Sequence, residues 1–291
     1  MTTNPEIERQ AAYHAELFTN LSRWDEVWKA AVDVIGDQES AVELGLDQLG
    51  LFGPRGVSLV VERLIANTTG ESLACIVELG SGFGGALRHA GRILRSSGLH
   101  AQLIGVEIVP SHCEVARTIG RALGDETAVI LAADAGHLPI PSTSIDAAFA
   151  AGSASYFSSV SDVVSECHRV LRPGGVLVMI DEVSLRPHGA PPVTEVFLAH
   201  HPYLHTATLE ERRIQVETAG FRIVEFESLA AWGEALLRQR AQAMRFLGAC
   251  AHRVYGADAT ERIISALTSA AYEYGRGSIQ PMVIVAHRSS D

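Results

Sequence analysis

The chain has 291 residues, 47% of them hydrophobic, with a formal net charge of -11 and a pI near 5.5. That is enough apolar material for a large core in one elaborated domain or two small ones, and the acidic balance argues against a tight grip on a nucleic-acid backbone. No apolar run is long enough to span a bilayer, and the opening MTTNPEIERQ has no basic stretch followed by an apolar one, so a cytoplasmic protein without a leader is expected.

Up to about residue 70, AAYHAELF, WDEVWKAAVDVI and GVSLVVERLIAN repeat apolar residues at three- and four-residue spacing, which predicts helices. LGLFGPRG, with its Gly and Pro, marks a turn before the last of them. From about residue 73 the pattern changes to strands alternating with helices. LACIVELG, QLIGVEIV, AVILAAD, SIDAAFAAG and GGVLVMIDE read as strands; GALRHAGRIL, SHCEVARTIGRAL and SDVVSECHRVL read as the helices between them. This alternation predicts βαβ units and a parallel sheet covered on both faces. The pattern dissolves from Val183 to Thr206, a stretch rich in Pro and His. TLEERRIQVETAGF reads as a helix with a Thr cap, acids in its first turn and Gly220 as its stop. FRIVEFESL is a strand, residues 230–275 are helical, and IQPMVIVAHR is a last strand. Cys75, Cys113, Cys167 and Cys250 form no CxxC pair and are expected to be reduced.

The segment VELGSGFGG, Val77 to Gly85, follows the first strand. Ligands of open parallel sheets sit at the carboxyl ends of strands, and glycines there let the backbone approach them. The loop alone is ambiguous, because Gly80, Gly82 and Gly85 also satisfy GxGxxG. Three acids at successive strand ends narrow the choice. Glu78 lies where a dinucleotide would put its diphosphate; a carboxylate there suits an amine-bearing ligand instead. Glu107, in GVEIVP, is placed to accept from ribose hydroxyls, a device common to both kinds of nucleotide site. Asp134, in LAADAGHLP, is placed to accept from an adenine amino group beside the Ala135 N–H.

VELGSGFGG, GVEIVPSHCEVAR, AADAGHLPIPSTSIDAAF and HRVLRPGGVLVMIDE, in this order and spacing, resemble the successive motifs of class I S-adenosylmethionine-dependent methyltransferases. The likeness covers roughly residues 73–229, with IQPMVIVAHR similar to the family's closing antiparallel strand, and it is nearest to the branch that methylates small molecules such as sarcosine, quinones, sterols and natural products. It implies a Rossmann-like, seven-stranded, mostly parallel sheet with a terminal antiparallel strand. It further implies a helical N-terminal cap over 1–70 and a core over 71–291, with a lid insertion at 183–207 and a helical cap at 230–277. S-adenosyl-L-methionine is the implied cofactor. Gly80, Ser81, Gly82 and Gly84 would line its methionine part, with Glu78 on the amino group. Glu107 would hold the ribose, Ile108 would pack on the adenine, and Asp134 and Ala135 would read the adenine edge. Ala151 and Gly152 would sit near the sulfur.

Methyl transfer is an in-line displacement that needs alignment and exclusion of water more than acid–base chemistry, so its residues are hard to read. The D/N-PP-Y/F motif of enzymes that methylate the amino groups of nucleic-acid bases is absent, since AGSASYF stands in its place. Asp181 and Glu182 are adjacent but lack the downstream acid–Asn pair of an oxygen cage for a metal, so no metal is expected. In the lid, HGAPPVTEVFLAHHPYLHT places His188, His200, His201 and His205 close together. His201 and His200, with Glu182 and Tyr156 at strand ends, are the candidate catalytic residues. Tyr13, Phe52 and Arg55 are candidate contacts from the N-terminal segment. LLRQRAQAMR reads first as a solvated helix face, with a grip on an anionic substrate as the alternative. The expected function is methyl transfer to O, N or C of a small acceptor in secondary metabolism, with no nucleic-acid or membrane partner and room for a homodimer. The competing readings are a protein of this fold catalysing a non-methylating step such as cyclisation or decarboxylation, an NAD-dependent oxidoreductase, and a scaffold.

Overall fold

The computed structural model describes residues 5–17, 23–36, 44–48, 50–68, 73–125, 128–186 and 189–289. Among the described residues, three helices lead the chain: α1 (Pro5–Leu17), α2 (Trp24–Ile35) and α3 (Gly53–Asn67). Pro54 sits in the first turn of α3, where its missing N–H costs nothing. The alternating part follows as β1 (Cys75–Leu79), α4 (Gly85–Ser96), β2 (Gln102–Glu107), α5 (Pro110–Ala122), β3 (Ala128–Ala132), β4 (Ile145–Ala151), α6 (Val160–Val170) and β5 (Leu171–Ser184). Then come α7 (Glu195–His200), α8 (Leu209–Thr218), β6 (Phe221–Ser228), α9 (Ala230–Phe246), α10 (Gly248–Tyr255), α11 (Ala257–Arg276) and β7 (Ile279–Arg288).

The seven strands form one sheet in the order β3-β2-β1-β4-β5-β7-β6. The order reverses between β1 and β4, and β7 alone runs antiparallel, wedged between β5 and β6. This is the Rossmann-like arrangement expected from the sequence. Strand β5 shows why it forms. Val176, Val178 and Ile180 enter the core on one face; Leu177, Met179 and Val183 enter the core on the other. That period of two with apolar residues on both sides suits a strand buried between helix layers. Helices α3, α4, α9 and α11 contribute to the first core, and α6 and α8 to the second. A third cluster joins Val27 and Ala31 of α2 to Phe83 of the glycine loop and to Cys250 and Val254 of α10.

Two segments differ in detail from the sequence reading. The Pro- and His-rich stretch contains a one-and-a-half-turn helix, α7, whose cap Thr194 accepts from Phe197 N at 3.3 Å. Six residues are too few for a periodic signal. The helical stretch after β6 is three helices, broken at Leu247 and at Gly256, whose φ is +88°. Helix α8 starts as expected, with a complete capping box between Thr208 and Glu211. All four cysteines are free. Among the described residues, no helix is long and apolar enough to cross a membrane.

Candidate cofactor and acceptor cavity

The carboxyl ends of β1 to β4 open into a cavity of about 560 Å³ beside the point where the strand order reverses. The glycine loop forms its floor. Gly80 N and Ser81 N both donate to Val106 O, at 2.8 and 2.9 Å, which straps the turn onto β2. At Gly80 the φ is +69°, and a β-carbon would lie 2.7 Å from Ser153 Cβ, so only glycine fits. Gly105 leaves room on β2 for the Ser81 side chain, 2.7 Å from where its own β-carbon would be. Gly82 continues the loop on the cavity wall with positive φ; Gly84, also at positive φ, lies off that wall, backed by Arg88 and Ala116 where it caps α4.

Glu107 ends β2 and holds this loop in place. Its Oε2 accepts from Gly82 N at 2.8 Å and its Oε1 from Val109 N at 2.9 Å, with His112 Nδ1 3.5 Å from Oε1. Burial works to raise its pKa, but the bonds from His112, Val109 and Gly82 outweigh it and keep the carboxylate below its ordinary range. Oε2 retains a second lone pair for a ligand. Glu78 differs. It is 3% exposed, its Oε2 has no hydrogen-bond partner, and burial pushes its pKa well up despite the nearby Arg88 charge. The amide nitrogen of Gln48, on the same cavity wall, is likewise buried without a partner. An unfilled acceptor and an unfilled donor suit the amino and carboxylate groups of an amino acid such as the methionine part of S-adenosylmethionine.

Asp134 stands at the exposed rim, its Oδ1 accepting from Gly136 N at 2.8 Å, while Ala135 is buried behind it. Ile108, Ala151 and Gly152 line the same cavity. Ser153 Oγ donates to Leu79 O at 2.6 Å, tying the end of β4 to the glycine loop.

On the far wall lie Tyr13, Tyr156, His200 and His201. Tyr156 Oη is 3.4 Å from His201 Nδ1. The His201 ring packs on Phe197, centroids 4.5 Å apart, and burial lowers its pKa from 6.5 to about 4. His200 is held by Ser265 at 2.8 Å, and its carbonyl accepts from Tyr13 Oη at 2.8 Å. Glu182 is set apart from this group. It lies off the cavity wall and accepts from Tyr274 Oη at 3.0 Å. His205 is exposed, and His188 lies outside the described residues. Phe52 is buried behind Gly152, and Arg55 is exposed, bonding Gln239 at 3.2 Å. Among the described residues no group of three His, Cys, Asp or Glu is placed to hold a metal ion.

The cavity also contains residues that strand-end reasoning does not reach. Asp47 pairs with Arg88 at 2.6 Å, and Arg88 donates to Phe83 O at 2.6 Å, which locks residues 44–48 onto the glycine loop. His14 of α1 lies 5.0 Å, ring to ring, from His112. Tyr255 and Arg240 come from the C-terminal helices. Only His112 carried a signal, five residues after Glu107 at the start of a helix.

Comparison with known proteins agrees with this geometry. Residues 77–179 match the family described as a methyltransferase domain. Sterol 4-C-methyltransferase strm-1 of Caenorhabditis elegans is 28% identical over 167 residues, which is 55% of this chain and 47% of that protein. The chain thus spans about half the length of this curated relative. Among solved structures, phosphoethanolamine N-methyltransferase 2 of Haemonchus contortus superposes with a TM-score of 0.71 at 16% identity, over 91% of this chain and 58% of that one. The [4+2]-cyclase SpnF superposes with a TM-score of 0.63 at 20% identity, over 93% of this chain and 96% of that one. Strand order, glycine loop, acid-tipped strands and domain match converge on one conclusion: residues 77–179 belong to a methyltransferase domain, whose cavity fits S-adenosylmethionine.

Proposed function

We propose that the chain transfers a methyl group from S-adenosylmethionine to an O, N or C atom of a small organic acceptor, as a cytoplasmic step of secondary metabolism. One observation carries the reading. A single cavity is bounded by the strand-end acids Glu78 and Glu107 on one side and, without a break, by side chains of α1, α9 and α11 on the other. Such a space suits a cofactor and an enclosed acceptor better than a protein tail. Residues 1–70, 183–207 and 230–277 act as caps and lid over it.

When bound, the cofactor supplies a methyl group activated by positive sulfur. The chain's own residues then bind, orient and dry the site. Glu78 receives the amino group, and Gly80, Ser81 and Gly82 cradle the methionine part. Glu107 holds the ribose through the lone pair left on Oε2, Ile108 packs on the adenine, and Asp134 and Ala135 read its edge. Ala151 and Gly152 leave room at the sulfur. His201, neutral down to about pH 4, takes the acceptor's proton where one must leave. The Tyr156 hydroxyl orients it, and burial keeps that phenol un-ionised. His200 supports the pair through its bond to Ser265.

The test is incubation with S-adenosylmethionine and a panel of phenols, amines and acids, reading S-adenosylhomocysteine and product mass together. Demethylated cofactor with a product heavier by one CH₂ supports the proposal. A second reading, a non-methylating step, draws on the end-to-end correspondence with the cyclase; it predicts a product of unchanged mass for cyclisation, or one lighter by CO₂ for decarboxylation, with the cofactor unconsumed.

A further inference from the structure

Helix α9 carries arginines of two kinds. Arg238 pairs with Glu234 at 2.7 Å on the solvent side. Arg240 stands on the cavity wall. Its Nη1 donates to the carbonyls of Gly50, at 2.8 Å, and Leu51. Its guanidinium carbon fills the space beside Gly53, 2.8 Å from where a β-carbon would be. These partners are neutral, and no carboxylate among the described residues lies within ion-pair distance of it. Burial disfavours its charge, yet a guanidinium keeps its proton in proteins. The side chain is half-buried and faces the cavity, so an anion entering there would meet a partly desolvated cation. Nη1 makes both bonds, which leaves Nε and Nη2 for such an anion. Gly50 also backs onto Ala151 O, 3.1 Å from its β-carbon position, so only one residue separates this cation from the end of β4. The Tyr255 phenol lies near the guanidinium, and the wall of the same cavity carries Leu17, Met244, Leu247, Ile263, Ala266 and Leu267.

We infer that the acceptor is an amphipathic acid, an apolar body bearing one carboxylate or phosphate that Arg240 holds. The inference rests on the methyl-transfer reading and narrows it. Methyl groups go to acceptors whose acid lies near the reacting atom, because Arg240 stands close to the β4 end. Arg262, stacked over the Tyr13 ring at 5.5 Å, is too exposed to serve as the grip and marks the rim.

The experiment titrates decanoate, decyl phosphate and decanol into the protein saturated with S-adenosylhomocysteine, by calorimetry, for wild type, Arg240→Gln and Arg240→Lys. One or both anions should bind about tenfold or more tighter than decanol to wild type. The preferred anion identifies carboxylate or phosphate. Arg240→Gln should lose the preference while keeping its affinity for S-adenosylhomocysteine, and Arg240→Lys should keep part of it. No preference in wild type, or a preference that survives in Arg240→Gln, overturns the inference. So does an equal loss of S-adenosylhomocysteine affinity in Arg240→Gln, which would assign Arg240 to the cofactor. If Arg240→Gln does not fold, wild type and Arg240→Lys still decide. Failure of wild type to bind S-adenosylhomocysteine would sink the methyl-transfer reading alone, since the same probes titrated without it still read the anion preference.

Discussion

Replacing Glu182 by Gln removes one titration from the core. Glu182 is 1% exposed, and it follows Asp181, which is ion-paired with Arg212 at 2.6 Å. Burial, then the Asp181 charge beside it, pushes the Glu182 carboxyl from its ordinary 4.5 up to about 8. The folded chain therefore keeps this proton through neutral pH, while the unfolded chain releases it above about 4.5. For a carboxyl raised by folding, stability is fully present below the unfolded value and falls as pH climbs to the folded one. The slope is about 1.4 kcal/mol per pH unit. The accumulated loss is about 3 kcal/mol at pH 7 and about 4–5 kcal/mol beyond the folded pKa. Glutamine has the same shape, no charge, and an amide oxygen that accepts from Tyr274. Glu182→Gln should match the parent near pH 4.5 and exceed it by about 3 kcal/mol at pH 7. At about 2–4 °C per kcal/mol, that is a rise in Tm of about 6–12 °C. Urea unfolding of both proteins at stepped pH measures the difference directly. Parallel curves, or a variant weaker at every pH, would refute the reasoning. Because Glu182 lies off the cavity wall, the variant should also bind S-adenosylhomocysteine as the parent does.

Other perturbations follow from the same geometry. Glu107→Ala should both unfold more easily, by about 2–4 kcal/mol in urea melts, and lose cofactor affinity, because it frees Gly82 N and Val109 N as well as a ribose contact; a loss of affinity with unchanged stability would contradict the bonds seen. Asp47→Ala strands the buried Arg88 charge and should cost about 3 kcal/mol, with slackened binding of S-adenosylhomocysteine, read by melting and calorimetry. Gly80→Ala should be destabilised by about 2–3 kcal/mol, from its left-handed backbone and the contact with Ser153; a melt within error of wild type would oppose it. His201→Ala should lower turnover about 10²–10⁴-fold without changing cofactor affinity, and in the wild type the acid limb of kcat/KM should fall near pH 4, where the imidazole charges, not near 6.5.

The sheet was legible because burial writes a short period into the chain. In β5 the alternate residues divide between the two cores, and α4, α5 and α6 bury residues three and four apart. The acids of the cavity were legible for a related reason: Glu78, Glu107 and Asp134 occupy positions counted from strand ends. Residues delivered by docked helices were not. Nothing local marks Arg240 as facing a cavity while Arg238, two residues earlier on the same helix, pairs with Glu234 in solvent. Asp47 and Gln48 lie in a turn without periodicity, and their placement depends on Arg88, 41 residues away from Asp47. Glu182 shows the converse: its position at a strand end suggested a pocket residue, but the packing of α11 over β5 turns it to Tyr274.

The central claim is that the acid-tipped strands hold S-adenosylmethionine. Calorimetry with S-adenosylmethionine, S-adenosylhomocysteine and NAD tests it, on wild type and on Asp134→Ala. Asp134 is exposed and bonded only to its own turn, so this variant should melt as wild type does. The account predicts micromolar, one-to-one binding of both sulfur compounds, weakened in Asp134→Ala, and none of NAD. Binding of NAD in their place, or equal affinity of wild type and Asp134→Ala, would contradict it.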